Sequence, residues 1–144
     1  MMEDGDLKIN LNSKLNFMLI YEKEILITPE FIDQNNHVNN VQFAHWVEMI
    51  AAEHWDLLKH KSKYAGNIWF LMEHHIQYKK QVYLGETLIV RTHPENPEGI
   101  RQPRKVEFYR DGELMVDSLT KWVMIHPETE KIVRIEQDWL ESFH

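Results

Sequence analysis

The stretch Asp33-Gln34-Asn35-Asn36-His37-Val38-Asn39-Asn40, running directly into the helical pattern of residues 41–60, decides how the rest of the chain is read. On a wheel of about 100° per residue, Gln42, His45, Met49, Glu53, Asp56 and His60 fall on one side. Phe43, Trp46, Val47, Ile50, Ala51, Trp55, Leu57 and Leu58 cover roughly half of the remaining circumference. An apolar arc that wide needs something large to embrace it, such as a curved sheet. Asn39 or Asn40 is placed to cap the helix start.

The flanks supply such a sheet. Residues 16–27 are rich in β-formers (Phe17, Leu19, Ile20, Tyr21, Ile25, Ile27) and stop at Pro29, which predicts a first strand. After a basic loop at residues 59–66, residues 68–82, 87–93, 104–110, 113–126 and 131–135 read as strands. Asp111-Gly112 is a two-residue hairpin signal. Residues 137–143 suggest a short helical end. The order is strand, long helix, then four or five antiparallel strands. One helix cannot cover both faces of such a sheet, so a sheet that wraps the helix and pairs with a second copy is expected.

Composition narrows the function. The 144 residues suit one domain, residues 15–144, behind a flexible lead-in at residues 1–14. Sixteen Lys and Arg against twenty-three Asp and Glu give a net charge of −7, which argues against a nucleic-acid partner. There is no cysteine, so disulfides, Cys-based zinc sites and Cys nucleophiles are excluded. No apolar run approaches the ~18 residues of a membrane span, and the acidic start lacks a signal peptide's basic region. A cytoplasmic, non-membrane domain is expected.

The Asn-rich loop holds the chemistry. It sits ahead of a helix N-terminus, where free N–H groups and the dipole stabilise developing negative charge. Asp33 brings a carboxylate, His37 a group titrating near neutrality, and Asn35 an amide that can hold water. A carboxylate near oxyanion donors is what hydrolysis of an activated carbonyl requires. The same residues also suit any turn, because Asp and Asn bond their own backbone.

The string Asp33-x-Asn35-x-His37-Val38-Asn39-Asn40-Val41-x-Phe43-x-x-Trp46, with Glu48 two residues on, resembles the acyl-acyl carrier protein thioesterases, whose signature is close to D-x-N-x-H-V-N-N-V-x-[YF]-x-x-W. It also resembles the wider 4-hydroxybenzoyl-CoA thioesterase group. Tyr78, Leu84-Gly85-Glu86-Thr87, Asp111-Gly112-Glu113-Leu114 and Trp122-Val123-Met124 extend the likeness over about residues 17–135. Three positions depart from it. Phe31 replaces a first carboxylate, Asn36 replaces a glycine before the histidine, and Gln81 stands where plant relatives carry an acid.

The resemblance implies an α+β hot-dog fold: five to six antiparallel strands wrapped around one long central helix, working as a homodimer or homotetramer. It implies hydrolysis of an acyl-CoA or acyl-carrier-protein thioester to acid and thiol, in fatty acid metabolism. Asp33 would activate water or attack the thioester, Asn35 would position that water or carboxylate, and His37 would polarise or donate to the reacting groups. The Asn40 N–H would hold the thioester oxygen. Glu48 is a reserve base, or an ordinary carboxylate at the core's edge. No metal or separate cofactor is implied; CoA or phosphopantetheine arrives with the substrate.

Among the basic residues, Lys79, Lys80, Arg101 and Arg104 are candidate partners for its phosphates, though solvated strand faces explain them equally well. His54 lies inside the apolar arc and reads as a buried histidine bonded to backbone or to a second subunit. His45 and His54 are not an i, i+4 pair, and the adjacent His74 and His75 point to opposite faces of a strand, so neither pair chelates a metal. Two rival functions remain. One is an acyl-thioester binding protein without turnover, and the other is a hydratase or dehydratase of the same fold.

Overall fold

The computed structural model describes residues 18–143, so the lead-in expected at residues 1–14 lies outside them. The elements run β1 (Tyr21–Leu26), α1 (Asn40–Leu58), β2 (Ile68–Tyr78), β3 (Thr87–Pro94), β4 (Gln102–Arg110), β5 (Glu113–Ile125) and β6 (Ile132–Val133). Single 3-10 turns occupy Pro29–Phe31, Lys59–Lys61 and Trp139–Ser142. The strands form one antiparallel sheet in the order β1-β3-β4-β5-β2. β6 pairs with β5 at Met124 and Ile125, beyond the point where β4 begins with Gln102 opposite Trp122. A single long helix against a six-stranded antiparallel sheet is the hot-dog architecture that the resemblance implied.

Local chemistry accounts for the boundaries. Asp111 and Gly112 both take positive φ (51° and 82°), the mirror-image turn whose twist matches paired strands. The first strand is shorter than expected, because residues 18 and 19 turn before Tyr21 meets Thr92 of β3. β2 stops at Tyr78 rather than residue 82. There the N–H groups of Lys79 and Lys80 both turn onto the Met115 carbonyl, and Val82 leaves the sheet to meet Val38. The helix ends at Leu58, two residues early, and tightens into the 3-10 turn.

The sheet's inner face changes along its length, and the helix follows it. Under the first half of α1, Phe43, Trp46, Val47 and Ile50 pack with Leu88, Val90, Val106, Phe108 and Val116 in a continuous apolar core. Under the second half the same sheet face carries Thr92, Arg104 and Thr120, all buried. Beyond that polar layer a second cluster gathers Leu58, Tyr64, Met124, Ile135, Trp139 and Phe143. Leu57, placed in the apolar arc by the wheel, is exposed, so the buried stripe is narrower than its sequence suggested.

Candidate functional site

Residues 32–38 fold back on themselves as a miniature hairpin. Ile32 bridges Val38, the Asp33 N–H donates to the His37 carbonyl at 3.0 Å, and the Asn36 N–H donates to the Asp33 carbonyl at 3.0 Å. Reversing the chain in so few residues forces Asn36 to φ 71°, a left-handed conformation that Asn tolerates better than most residues. The buried Val38 anchors the loop: its N–H donates 2.8 Å to the Val82 carbonyl.

This hairpin brings Asp33 and His37 together. Oδ1 of Asp33 accepts the Asn35 N–H at 2.8 Å, and Oδ2 lies 3.7 Å from His37 Nδ1. Nδ1 is also 3.3 Å from the Val38 carbonyl, which can only accept, so a proton on Nδ1 is the one that this contact satisfies. The two side chains are 20% and 23% exposed, which keeps them fixed yet reachable. Asn35 meets Asp33 through its backbone N–H, and its own side chain is exposed.

The helix start follows at once. The Asn39 side chain accepts the Val41 N–H at 2.8 Å and its carbonyl accepts the Gln42 N–H at 2.9 Å. The cap thus occupies two of the four orphan donors of the first turn, and the Asn40 N–H is not one of them. Asn40 is exposed, and its carbonyl accepts the Tyr78 hydroxyl at 3.3 Å, which ties the helix start to the end of β2. An anion-attracting helix terminus and a poised carboxylate therefore share one loop.

The remaining candidates scatter. Glu48 is exposed two turns along α1, ~12 Å from Asn40 by helix rise. It faces β2, where its charge acts on His74. Burial holds the His74 imidazole below its ordinary pKa, and its Nε2 is enclosed with no hydrogen-bond partner among the described residues. His75 points to the other face and meets Glu73 at 3.3 Å. Lys79 and Lys80 are exposed at the Tyr78 end of β2, beside the helix start, and Lys80 pairs with Glu113.

Arg101 is elsewhere, exposed and 3.6 Å from Glu73. Arg104 is buried in the sheet's polar layer, so the four cationic candidates do not form one cluster. The alternation of β4 carries the signal that separates them: Gln102, Arg104, Val106 and Phe108 share a face. His54 is buried as expected, with Nε2 2.8 Å from the Met18 carbonyl and Nδ1 accepting from Arg104 at 2.9 Å. Sequence reading missed Tyr78 as the clamp on Asn40, a contact between residues 38 apart that no local pattern encodes.

Comparison with known proteins gives the same picture at the level of family and fold. Residues 18–143 match the sequence model described as the acyl-ACP thioesterase N-terminal domain. Among solved structures, a 1,4-dihydroxy-2-naphthoyl-CoA thioesterase from Synechocystis is similar, with a TM-score of 0.69 and 19% identity over 86% of this chain and 95% of that one. An oleoyl thioesterase (putative) from Lactobacillus plantarum has a TM-score of 0.74 and 16% identity, over 86% of this chain and 50% of that one. A 12:0-ACP thioesterase from Umbellularia californica has a TM-score of 0.69 and 10% identity, over 83% and 48%. No curated protein matches the chain in sequence.

Proposed function

The chain belongs to the acyl-ACP thioesterase N-terminal domain family and is a thioester hydrolase of the hot-dog fold, and from that premise we propose that it cleaves an acyl-CoA or acyl-carrier-protein thioester at the loop of residues 33–40. The observation that carries this reading is the Asp33 carboxylate, fixed by the Asn35 N–H and set beside His37 directly ahead of an exposed helix start.

The chemistry follows from that arrangement. The thioester carbonyl oxygen takes the Asn40 N–H, where the helix terminus stabilises the negative charge that develops on attack. Asp33 either draws a proton from the attacking water or attacks the carbonyl carbon itself. In the first case the tetrahedral oxyanion collapses, the C–S bond breaks, and the thiolate takes up a proton. In the second the adduct of Asp33 with the carbonyl carbon collapses, the C–S bond breaks, the thiolate leaves and takes up a proton, and water hydrolyses the resulting mixed anhydride to regenerate Asp33. His37, beside Asp33, orients the water or polarises the reacting group. CoA or phosphopantetheine enters as part of the substrate and no separate cofactor is needed. Lys79 and Lys80 are the phosphate partners at this end of β2.

A homodimer is part of the proposal, in a cytoplasmic enzyme; among the described residues no helix is long and apolar enough to cross a membrane. β2 is an edge strand of eleven residues whose Ile68, Phe70 and Met72 are 54%, 56% and 48% exposed. An apolar edge of that length invites a second strand.

The test is thiol release from acyl-CoAs of varied chain length and aromaticity. Asp33→Asn is expected to lower turnover at least ~10³-fold, of the size seen when a preorganised catalytic group is removed, while far-UV circular dichroism and melting stay unchanged. Near-parental turnover in that variant would remove Asp33 from the mechanism. A parent that binds acyl-CoA without releasing thiol would instead be a binding protein, and a change in enoyl absorbance would mark a hydratase. Single turnover in ¹⁸O-water tests the second route, since label in the Asp33 carboxylate arises only when Asp33 has formed an anhydride that water opens at the Asp33 carbonyl.

A further inference from the structure

The polar layer under the second half of α1 borders a cavity of about 320 Å³ that the proposed chemistry does not use. It lies against Ala51–Lys59, the far end of the helix from Asn40. Its walls are indoles: Trp55, Trp69 and Trp139 pack on one another with centroids 5.6–6.1 Å apart, and Trp122 of β5 closes a further side. Ala52, exposed on the helix, stands at the mouth.

One charged group reaches the cavity from inside the sheet. Arg104 is 8% exposed, and its Nη1 donates to His54 Nδ1 and to Thr92 Oγ1, both at 2.9 Å. Both acceptors are neutral. His54 is held in its uncharged form, chiefly by burial and then by Arg104 itself, with its pKa lowered to about 4. The N–H groups on Nε and Nη2 have no acceptor among the described residues, and no carboxylate there pairs with this guanidinium. Lys59, which pairs with Asp56 at 3.2 Å, and Asn67 also line the cavity, and Gln102 is saturated: its amide donates to the Glu95 and Pro103 carbonyls and its oxygen accepts the Trp139 indole N–H. A guanidinium on a cavity wall with no carboxylate beside it among the described residues lacks a counter-ion, and a planar fork of donors matches a planar oxyanion.

We propose that this cavity is a binding site for a flat, oxyanion-bearing ring, an aryl carboxylate, with Arg104 as its counter-ion and the tryptophans against its faces. The volume suits one or two fused rings. Indole faces favour an aromatic body over a flexible chain, whose many rotamers would have to be frozen. The source this geometry allows is a free aryl acid: the cavity begins at Ala51, ~16 Å along the helix from Asn40, beyond the reach of a ring bonded to a thioester held there. The binding claim does not depend on turnover.

Calorimetric titration of the full chain with 2-naphthoate, 2-naphthylmethanol and decanoate tests it. Naphthoate is expected to bind at least tenfold more tightly than either of the others. Ala52→Phe, which fills the mouth from an exposed helix position, is expected to abolish that binding with little change in melting temperature. Arg104→Met is expected to equalise naphthoate and the neutral alcohol. Equal affinity of the parent for naphthoate and the alcohol, or naphthoate binding unchanged in Ala52→Phe, would overturn the site. 2-Naphthoate is expected not to compete with acyl-CoA, and competitive inhibition that persists in Ala52→Phe would place the acid at the loop of residues 33–40 and overturn the site. A lack of thiol release would count against hydrolysis alone and leave the titration standing.

Discussion

Asn36 holds its φ of 71° because Asp33 and His37 can meet only if the chain reverses between them. Asn36→Gly, which prefers that region, should be neutral or slightly stabilising. Asn36→Val should cost on the order of 1–2 kcal/mol, since a β-branched side chain is strained there. Urea unfolding of the two variants checks this, and equal midpoints would mean the loop relaxes freely. His54 makes a second prediction at this scale. Its native pKa of about 4 lies below the ordinary 6.5, so as pH falls the unfolded chain takes the proton first. Stability is therefore fully present above pH 6.5 and is lost on acidification toward pH 4, by up to roughly 3 kcal/mol from this one group. Urea titrations across that window should show the decline, and His54→Gln should flatten it. A variant retaining the parental slope would assign the decline to other groups.

Among the elements, α1 is where sequence and site meet. Its cap is a single side chain, and the cap also sets where the first free N–H of the helix lies. Asn39→Ala should cost about 1 kcal/mol of stability, and it should also lower turnover, because the Asn40 donor is positioned by the same turn. Stability lost with turnover intact would uncouple the cap from the oxyanion donor. Much of this element was legible beforehand. The polar run ending in Asn39 and the spacing of Phe43, Trp46, Val47 and Ile50 are local, and helical geometry turns such spacing directly into a face. β4 was equally legible in principle: the alternation that buries Val106 and Phe108 also buries Arg104. Grouping Arg104 with surface cations overlooked that period. Tyr78 gave no such signal, since its meeting with Asn40 depends on where a whole strand ends.

The whole molecule presents β2 as its open edge, opposite β1, with Ile68, Phe70 and Met72 exposed on it. In the proposed dimer Phe70→Glu should weaken association at least tenfold by placing like charges at a shared edge. Sedimentation equilibrium reads this directly. In the parent the melting temperature should rise with concentration, and in the variant it should not. A parent that sediments as a monomer at all concentrations would reject the dimer.

By itself the sequence determined the hairpin at Asp111-Gly112, the helix with a cap at Asn39 or Asn40, and the turn-forming run of residues 33–40. Each is set by neighbours a few residues apart, whose backbone preferences act before any distant contact forms. The tertiary structure alone decided that β2 ends where Tyr78 can hold the helix start, that the cationic candidates separate, and that Arg104 faces a cavity walled by tryptophans. Those outcomes follow from which strands become neighbours and how a single helix lies across them. Burial, and the hydrogen bonds it demands, are properties of that packing rather than of any one segment.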